Sequence, residues 1–373
     1  MASSSLVRDF SGSPTSDKIC TFSVWVRRHT DEGTAYIFSN GKSDNSDFLQ
    51  IGFDGNRKFF YTDQQSGGNV LNFITQAEFS DTTAWYNFII QNDTSQSTES
   101  NRVKIYVNGV QITSFATASY PSQNQVLLLT KEASGTSTGW RFNGRSSDAY
   151  GSHVGQIALA GLTDGVADYT LFGEFDSTTG VWKPKTNPTM SGTNKFLLKF
   201  ENSSNLGLDS SGAGNFTVSG NVKQSPSTPS NKFPALNPRG TGASYKTNTY
   251  NLDAGHTFFA TTGVTRVEMT DMCFAGGKWY WEAKIEKANN SSTLGVFLTD
   301  STSAKRIWQS ESVGDLALQT AGNGGNGAIS FLAGSSSLIQ QGNSTTSYDT
   351  GISDGDIIMF AFDADNGKVW TRS

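Results

Sequence analysis

Glu174 and Asp176 alternate in FGEFDSTTGVWKPK, and Glu282 and Glu286 lie two alternations apart in GKWYWEAKIEK. Paired carboxylates on one strand face can hydrolyse glycosides, one as nucleophile and one as acid, when held ~5 Å apart. Lys284 separates Glu282 from Glu286 on a face that reads as solvated. Glu174-Phe175-Asp176 is followed by Ser177, Thr178 and Thr179 rather than by a further carboxylate. Ordinary surface positions outweigh catalysis for both pairs, and no catalytic residue is assigned. His29, His153 and His256 fall in separate segments without a Cys or carboxylate cluster at metal-ligand spacing, which argues against zinc and Ser-His-Asp chemistry alike. The Gly-rich AGNGGNGA at 321–328 lacks the Lys-Ser/Thr that holds phosphate and Mg2+, and reads as a surface loop. Hard oxygen ligands for Ca2+ concentrate in Asp44-Asn45-Ser46-Asp47 and from Asp209 to Asn215, in patterns that ordinary Asx turns share. No metal ligand is assigned, and Ca2+ is the one cofactor left open.

Binding chemistry is better represented. Sugars are held by aromatic rings stacked on their apolar faces beside planar hydrogen-bonding side chains. The run WRFNGRSSDAY offers that mixture through Trp140, Arg145, Asp148 and Tyr150, and Tyr120 heads a second such loop, YPSQN. Trp25 lies opposite the core residues of its strand, which makes it a further candidate for exposure. The competing reading is that such aromatics are buried under loops at the rim of a β fold.

The elements that must position these residues are strands. Period-2 patterns of β-branched and aromatic residues recur along the chain, and no window of helical length carries a 3.6 period. In TFSVWVRR, Phe22, Val24 and Val26 share one face; Tyr86, Phe88 and Ile90 do so in AWYNFIIQ, and Val103, Ile105 and Val107 in RVKIYVNGVQI. Asn108-Gly109 between two such runs predicts a hairpin over 103–115, because a type I′ turn needs positive φ at both central residues. Many short strands between turn clusters predict two antiparallel sheets packed face to face. One helical turn is expected near Tyr169 to Phe175.

A length of 373 residues suits two domains. Ser, Asn, Gly and Pro accumulate between 201 and 238, so the expected division is a sandwich over 1–200, a linker or seam over 201–230 and a second sandwich over 231–373. Charged residues are only 16% and the net charge is −5, which leaves no basic field for nucleic acid or an anionic bilayer. No stretch approaches the ~20 apolar residues of a membrane span, and MASSSLVRDF lacks the apolar core of an export signal. A soluble chain is expected. Cys20 and Cys273 fall in different predicted domains and read as free buried thiols.

TFSVWVRR, DFLQIGFDGNRKFFY and AWYNFIIQNDTSQSTESNRVKIYVNGVQITSF, in that order, resemble laminin G and concanavalin A-like sandwich domains, in which a Trp-Tyr strand precedes a Tyr-Val-Asn-Gly hairpin. Glucanases of that superfamily carry a Glu-x-Asp-x-Glu run whose last Glu is missing after Glu174 and Asp176. From about Phe233 onward, GKWYWEAKI, TLGVFLTD and GDIIMFAFDADNGKVW are similar to SPRY domains. The fold class implied is all-β: two antiparallel, jelly-roll-like sandwiches, concanavalin A-like then SPRY-like. The tandem resembles virion proteins of tailed bacteriophages, especially marine ones.

That resemblance implies a non-enzymatic virion component made in the host cytoplasm without a signal peptide and carried on the particle surface. As a tail-fibre or receptor-binding module it would recognise a host-surface glycan or other receptor; the alternatives are a capsid or tail decoration protein and, last, a glycoside hydrolase. Other virion proteins and further copies of the chain are the implied partners. The SPRY pattern continues past its last Trp, whereas only Thr371, Arg372 and Ser373 follow Trp370 here. This predicts an open sheet edge bearing Phe360, Phe362, Val369 and Trp370, covered by a neighbouring chain, by Met1 to Phe10 or by the 201–240 seam, or else a chain that is a fragment.

Overall fold

The computed structural model describes residues 4–28, 33–42, 46–82, 84–133, 139–145, 151, 153, 155–225 and 227–230, and then 236–237, 251–253, 257–259, 269–270, 276–285, 292–297, 328–333, 337–341, 344–349, 353–366 and 368–372. The chain divides into two compact units, Met1–Phe233 with Asp253–His256, and Pro234–Leu252 with Thr257–Ser373.

In chain order the first unit has β1 (Ser5–Arg8), β2 (Ile19–Arg28), β3 (Ala35–Gly41), β4 (Phe48–Phe53), β5 (Lys58–Gln65) and β6 (Gly68–Glu78). There follow β7 (Tyr86–Asp93), β8 (Val103–Val107), β9 (Val110–Gln111), β10 (Phe115–Ser119), β11 (Trp140–Phe142) and β12 (Gly155–Asp164). Last come β13 (Gly173–Phe175), β14 (Trp182–Pro184), β15 (Phe196–Leu198) and β16 (Thr217–Ser219). Eight strands form a large sheet, ordered β10-β6-β5-β4-β3-β11-β1-β16, and six form a small one, ordered β15-β12-β2-β7-β8-β9. The stretch expected as a linker belongs here: β16 pairs with β1, and Phe216 enters the core.

Alternation decides what each sheet turns inward. Phe22, Val24, Val26, Phe88, Ile90 and Ile105 of the small sheet meet Leu49, Ile51, Phe53, Phe59, Tyr61 and Phe73 of the large one in a single apolar core. Asn108 and Gly109 have φ 47 and 79, the positive values the predicted hairpin turn requires. Arg8 is buried against Asp209 at 2.7 Å, with its guanidinium over Trp140 and Phe216, and so ties the first strand to the chain beyond residue 200.

A third layer lies outside the small sheet. Trp25, Ile89, Tyr106, Leu159 and Leu197 point away from the main core yet are buried, because Phe172 and Trp182 pack over them. Trp182 donates to Asn87 Oδ1 at 2.8 Å and lies on Gly109, where a Cβ would come within 2.3 Å of its ring. The anticipated exposure of Trp25 is thus corrected: it is the floor beneath this layer, 4% exposed. The expected helical turn is present at Tyr169–Leu171 as one turn of 3-10 helix within the layer.

Beyond Phe233 lie β17 (Leu236–Asn237), β18 (Asn251–Asp253, whose last residue counts with the first unit), β19 (Thr257–Phe259), β20 (Met269–Thr270) and β21 (Lys278–Lys284). Then come β22 (Ser292–Phe297), β23 (Ala328–Ala333), β24 (Ser337–Gln341), β25 (Ser344–Asp349), β26 (Ile357–Asp363) and β27 (Lys368–Arg372). Among the described residues β22 to β25 form an antiparallel meander, and β21, β26 and β27 form a three-stranded sheet with β26 at its centre. Phe360 is therefore not at an edge. It is buried and stacked on Trp281, ring centroids 5.1 Å apart. β27 is one of the two outer strands, with β21 the other; Phe362 is half-buried and Trp370 exposed, while the side chain of Val369 lies outside the described residues. Of the two segments expected as cover, the described strands β1 and β16 pair with each other in the first unit's large sheet.

Candidate functional site

The outer face of the large sheet is built differently from that of the small one. Register places Tyr36, Gly52, Phe60, Ile74 and Thr117 side by side in one row across the strands. The next row is Arg141, Ser39, Gln50, Thr62, Asn72 and Ser119. Beyond it Phe48 pairs with Gln64. Directly paired residues share a face, so these side chains stand together opposite the core. With strands ~4.8 Å apart, the polar row from Arg141 to Asn72 runs roughly 19 Å.

The rows differ in chemistry. Tyr36 and Phe60 meet edge to face at 5.7 Å above Gly52, where a Cβ would fall 2.1 Å from the Ala35 carbonyl oxygen. In the polar row, Thr62 Oγ1 donates to Asn72 Oδ1 at 2.9 Å, which leaves the Asn72 Nδ2 without a protein acceptor among the described residues. Gln50 is only 8% exposed, yet its amide makes no hydrogen bond to a described residue. Phe60 is recessed to the same degree, while Tyr36, Phe48, Thr62, Gln64, Asn72 and Ile74 are half-exposed. The face is a shallow trough with an aromatic side and an amide floor.

Described backbone groups border it on two sides. Tyr36 donates its N–H to the Gly151 carbonyl and its carbonyl accepts from the Gly144 N–H, which places both glycines beside the aromatic row. At the other side, Asp47 takes the Ser66 N–H and pairs with Lys42 at 2.8 Å, and Gln64 donates to the Ser46 carbonyl. Asp47, from one of the two Asx-rich stretches weighed for Ca2+, is thereby engaged by the protein, as is Asp209 of the other, which takes Arg8 and the N–H groups of Leu197 and Ser211. Asp44 and Asn45 lie outside the described residues.

The sequence-predicted sugar contacts are rearranged. Trp140 is fully buried, donates to the Leu129 carbonyl and lies under Arg8; it cannot stack on a sugar. The strand W-R-F alternates the other way, so Arg141 faces outward into the polar row. Tyr120 packs edge-on against Phe73 at 4.9 Å and supports the core from its rim. Arg145 is half-buried next to Gly144, while Asp148 and Tyr150 lie outside the described residues. Missed were Gln50, Thr62, Gln64 and Asn72, whose signal was available: each alternates with a core residue in its strand.

Among the described residues, the first pair of carboxylates weighed for catalysis is held by lysine and backbone groups. Glu174 and Asp176 are on the hairpin of the third layer, where Lys183 lies 3.4 and 3.2 Å from their oxygens. The Thr179 and Thr178 N–H groups, with Lys183, hold the Asp176 carboxyl down at about 2, which is opposite to what a proton donor needs. His153 is buried beside the core ring of Phe53, and His29 and His256 lie outside the described residues. Burial pushes the Cys20 thiol up to about 12, an unreactive core position; Cys273 lies outside the described residues.

Residues 7–149 match the family model described as the concanavalin A-like lectin/glucanases superfamily. The first unit carries a laminin G/concanavalin A-like domain. No curated protein matches the chain. Among solved structures it is similar to a heptameric SAP-like pentraxin from Limulus polyphemus, at 12% identity and TM-score 0.29, over 45% of this chain and 78% of that one. It is also similar to domains LG4-5 of the mouse laminin α1 chain, at 10% identity and TM-score 0.30, over 100% and 75%. A third is the CBM40 of a Ruminococcus gnavus IT-sialidase bound to α2,3-sialyllactose, at 13% identity and TM-score 0.29, over 42% and 83%.

Proposed function

We propose that the protein is a non-enzymatic glycan-binding component that lays its ligand along the outer face of the large sheet. The observation that carries this reading is the transverse row of Arg141, Gln50, Thr62 and Asn72, with the recessed Gln50 amide at its centre and the Tyr36–Phe60 pair beside it; Ser39 in the same row is fully buried and gives its hydroxyl to the Gly144 carbonyl. Amides and hydroxyls at strand spacing serve a string of sugar hydroxyls, and the aromatic row serves an apolar sugar face. The Gln50 amide makes no hydrogen bond to a described residue and still reaches solvent, so a bound hydroxyl can take the place of water there.

The biological setting we infer is the surface of a tailed-phage particle, as a tail-fibre or receptor-binding module that attaches to host-surface glycan alongside other virion proteins and further copies of itself. Support comes from the tandem of a concanavalin A-like sandwich and a second, SPRY-resembling β unit. A glycan array probed with the full chain tests the binding. Gln50→Ala and Tyr36→Ala are expected to weaken the best array ligand by about tenfold each. An empty array, or variants that bind as well as the parent, would end this reading. Imaging of intact particles tests the setting, with density for this chain expected at a fibre.

A further inference from the structure

Register in the second unit's three-stranded sheet lines up Tyr280 with Ala361 and Ala361 with Trp370, one residue from each strand. All three share the face opposite Trp281 and Phe360. The two rings are the most exposed described aromatics of the chain, Tyr280 at 60% and Trp370 at 55%. The small Ala361 side chain between them leaves a flat floor, and the rings stand two strand spacings, roughly 10 Å, apart. The Trp370 indole makes no ring contact or hydrogen bond with a described residue. The row on one side is Lys278, Asp363 and Lys368, and on the other Glu282, Met359 and Arg372. Tyr280 Oη donates to Glu282 Oε1 at 2.6 Å, which holds its ring along the strand.

We propose that this line is a second carbohydrate site, selective for an extended glycan whose ring hydroxyls are equatorial. Such a chain has two flat C–H faces per ring, suited to a level pair of aromatics, and hydroxyls at its rim for the charged rows. It is also narrow. A flat protein partner covering the rings would take four exposed charged side chains, Lys278, Lys368, Glu282 and Arg372, out of water, a desolvation that a sugar chain lying on the aromatic line avoids. The site does not depend on the first unit's trough.

The test uses the full chain carrying Tyr36→Ala and Gln50→Ala, so that binding left over is the second unit's, and cellohexaose as probe in isothermal titration calorimetry. Saturable binding is expected to persist, to weaken about tenfold on Trp370→Ala or Tyr280→Ala, and to return on Trp370→Phe. Maltohexaose, which coils, is expected to bind at least about tenfold more weakly. Absence of residual cellohexaose binding overturns the proposal, as does residual binding indifferent to both ring deletions. Concentration-dependent association in sedimentation that Trp370→Ala abolishes also overturns it, in favour of a second copy. Failure of the trough reading looks different: Tyr36→Ala and Gln50→Ala would then leave all glycan binding at its parental strength.

Discussion

The two sheets of the first unit treat their outer faces in opposite ways. The small sheet turns out Trp25, Ile89, Tyr106 and Leu159, and the chain from Tyr169 to Met190 folds over them. The large sheet turns out amides, hydroxyls and Arg141 together with Tyr36, Phe60, Phe48 and Ile74, and none of these last four side chains enters an apolar cluster among the described residues. An outward apolar face has to be covered, since each large side chain left wet forfeits about 1.5–3 kcal/mol of burial. An outward polar face has no such need. The same sandwich thus seals one outer face under a further layer and leaves the other uncovered by any such layer among the described residues.

The sharpest way to break this contrast is to remove the anchor of the covered face. Trp182→Ala deletes a ring that fills the space over Gly109 and caps Asn87, and is expected to cost about 3–5 kcal/mol in denaturant unfolding while leaving glycan affinity intact in the folded fraction. A parallel loss of affinity would mean the two faces are not independent.

The support beneath the trough is expected to respond to pH. Asp63 alternates with Thr62 and Gln64 but faces inward, where burial raises its carboxyl from 3.8 to about 7, although the Leu128 N–H and Gln65 oppose the shift. The folded state therefore holds a proton that the unfolded chain releases near 3.8, and its contribution is full below that pH and lost as pH rises through about 7. Stability should fall by a few kcal/mol across that window, and Asp63→Asn should flatten the slope in denaturant titrations at a series of pH values.

On the open face the expectation inverts. Gln50→Ala should change stability by less than about 1 kcal/mol, because no protein hydrogen bond is lost, yet weaken glycan binding about tenfold. A variant that is destabilised without losing affinity would make Gln50 structural. The smallest effect is expected from Glu174→Gln and Asp176→Asn, whose carboxylates are solvated and paired with lysine: no sugar release in the parent, none in the variants, and unfolding midpoints nearly unchanged. Sugar release by the parent that either substitution removes would restore the hydrolase reading.

Legibility followed the same divide. Phe22, Val24, Val26, Phe88 and Ile90 could be read as core, and Asn108-Gly109 as a hairpin turn, because period 2 and positive φ are local properties. Trp140 could not be placed. In WRFNGR, either Trp140 and Phe142 or Arg141 and Asn143 could face the core, and pairing of β11 with β1 and β3 settled it in favour of the aromatics. Attention drawn to the conspicuous Trp missed the plain amides of Gln50 and Asn72. Their significance comes from lining up across strands separated by turns, which no single segment displays.

By itself the sequence determined that this is a β protein, where the strands of the first sandwich alternate, and which of their residues could not tolerate water. Only the tertiary structure decided what lies outside each sheet. Alternation assigns a side chain to one face or the other, but whether that face meets solvent, a ligand or another layer depends on a distant part of the chain. Trp25 and Gln50 are both outward residues of core strands. One is sealed by Trp182, more than a hundred and fifty residues away, and the other is left with an unbonded amide at the floor of a trough.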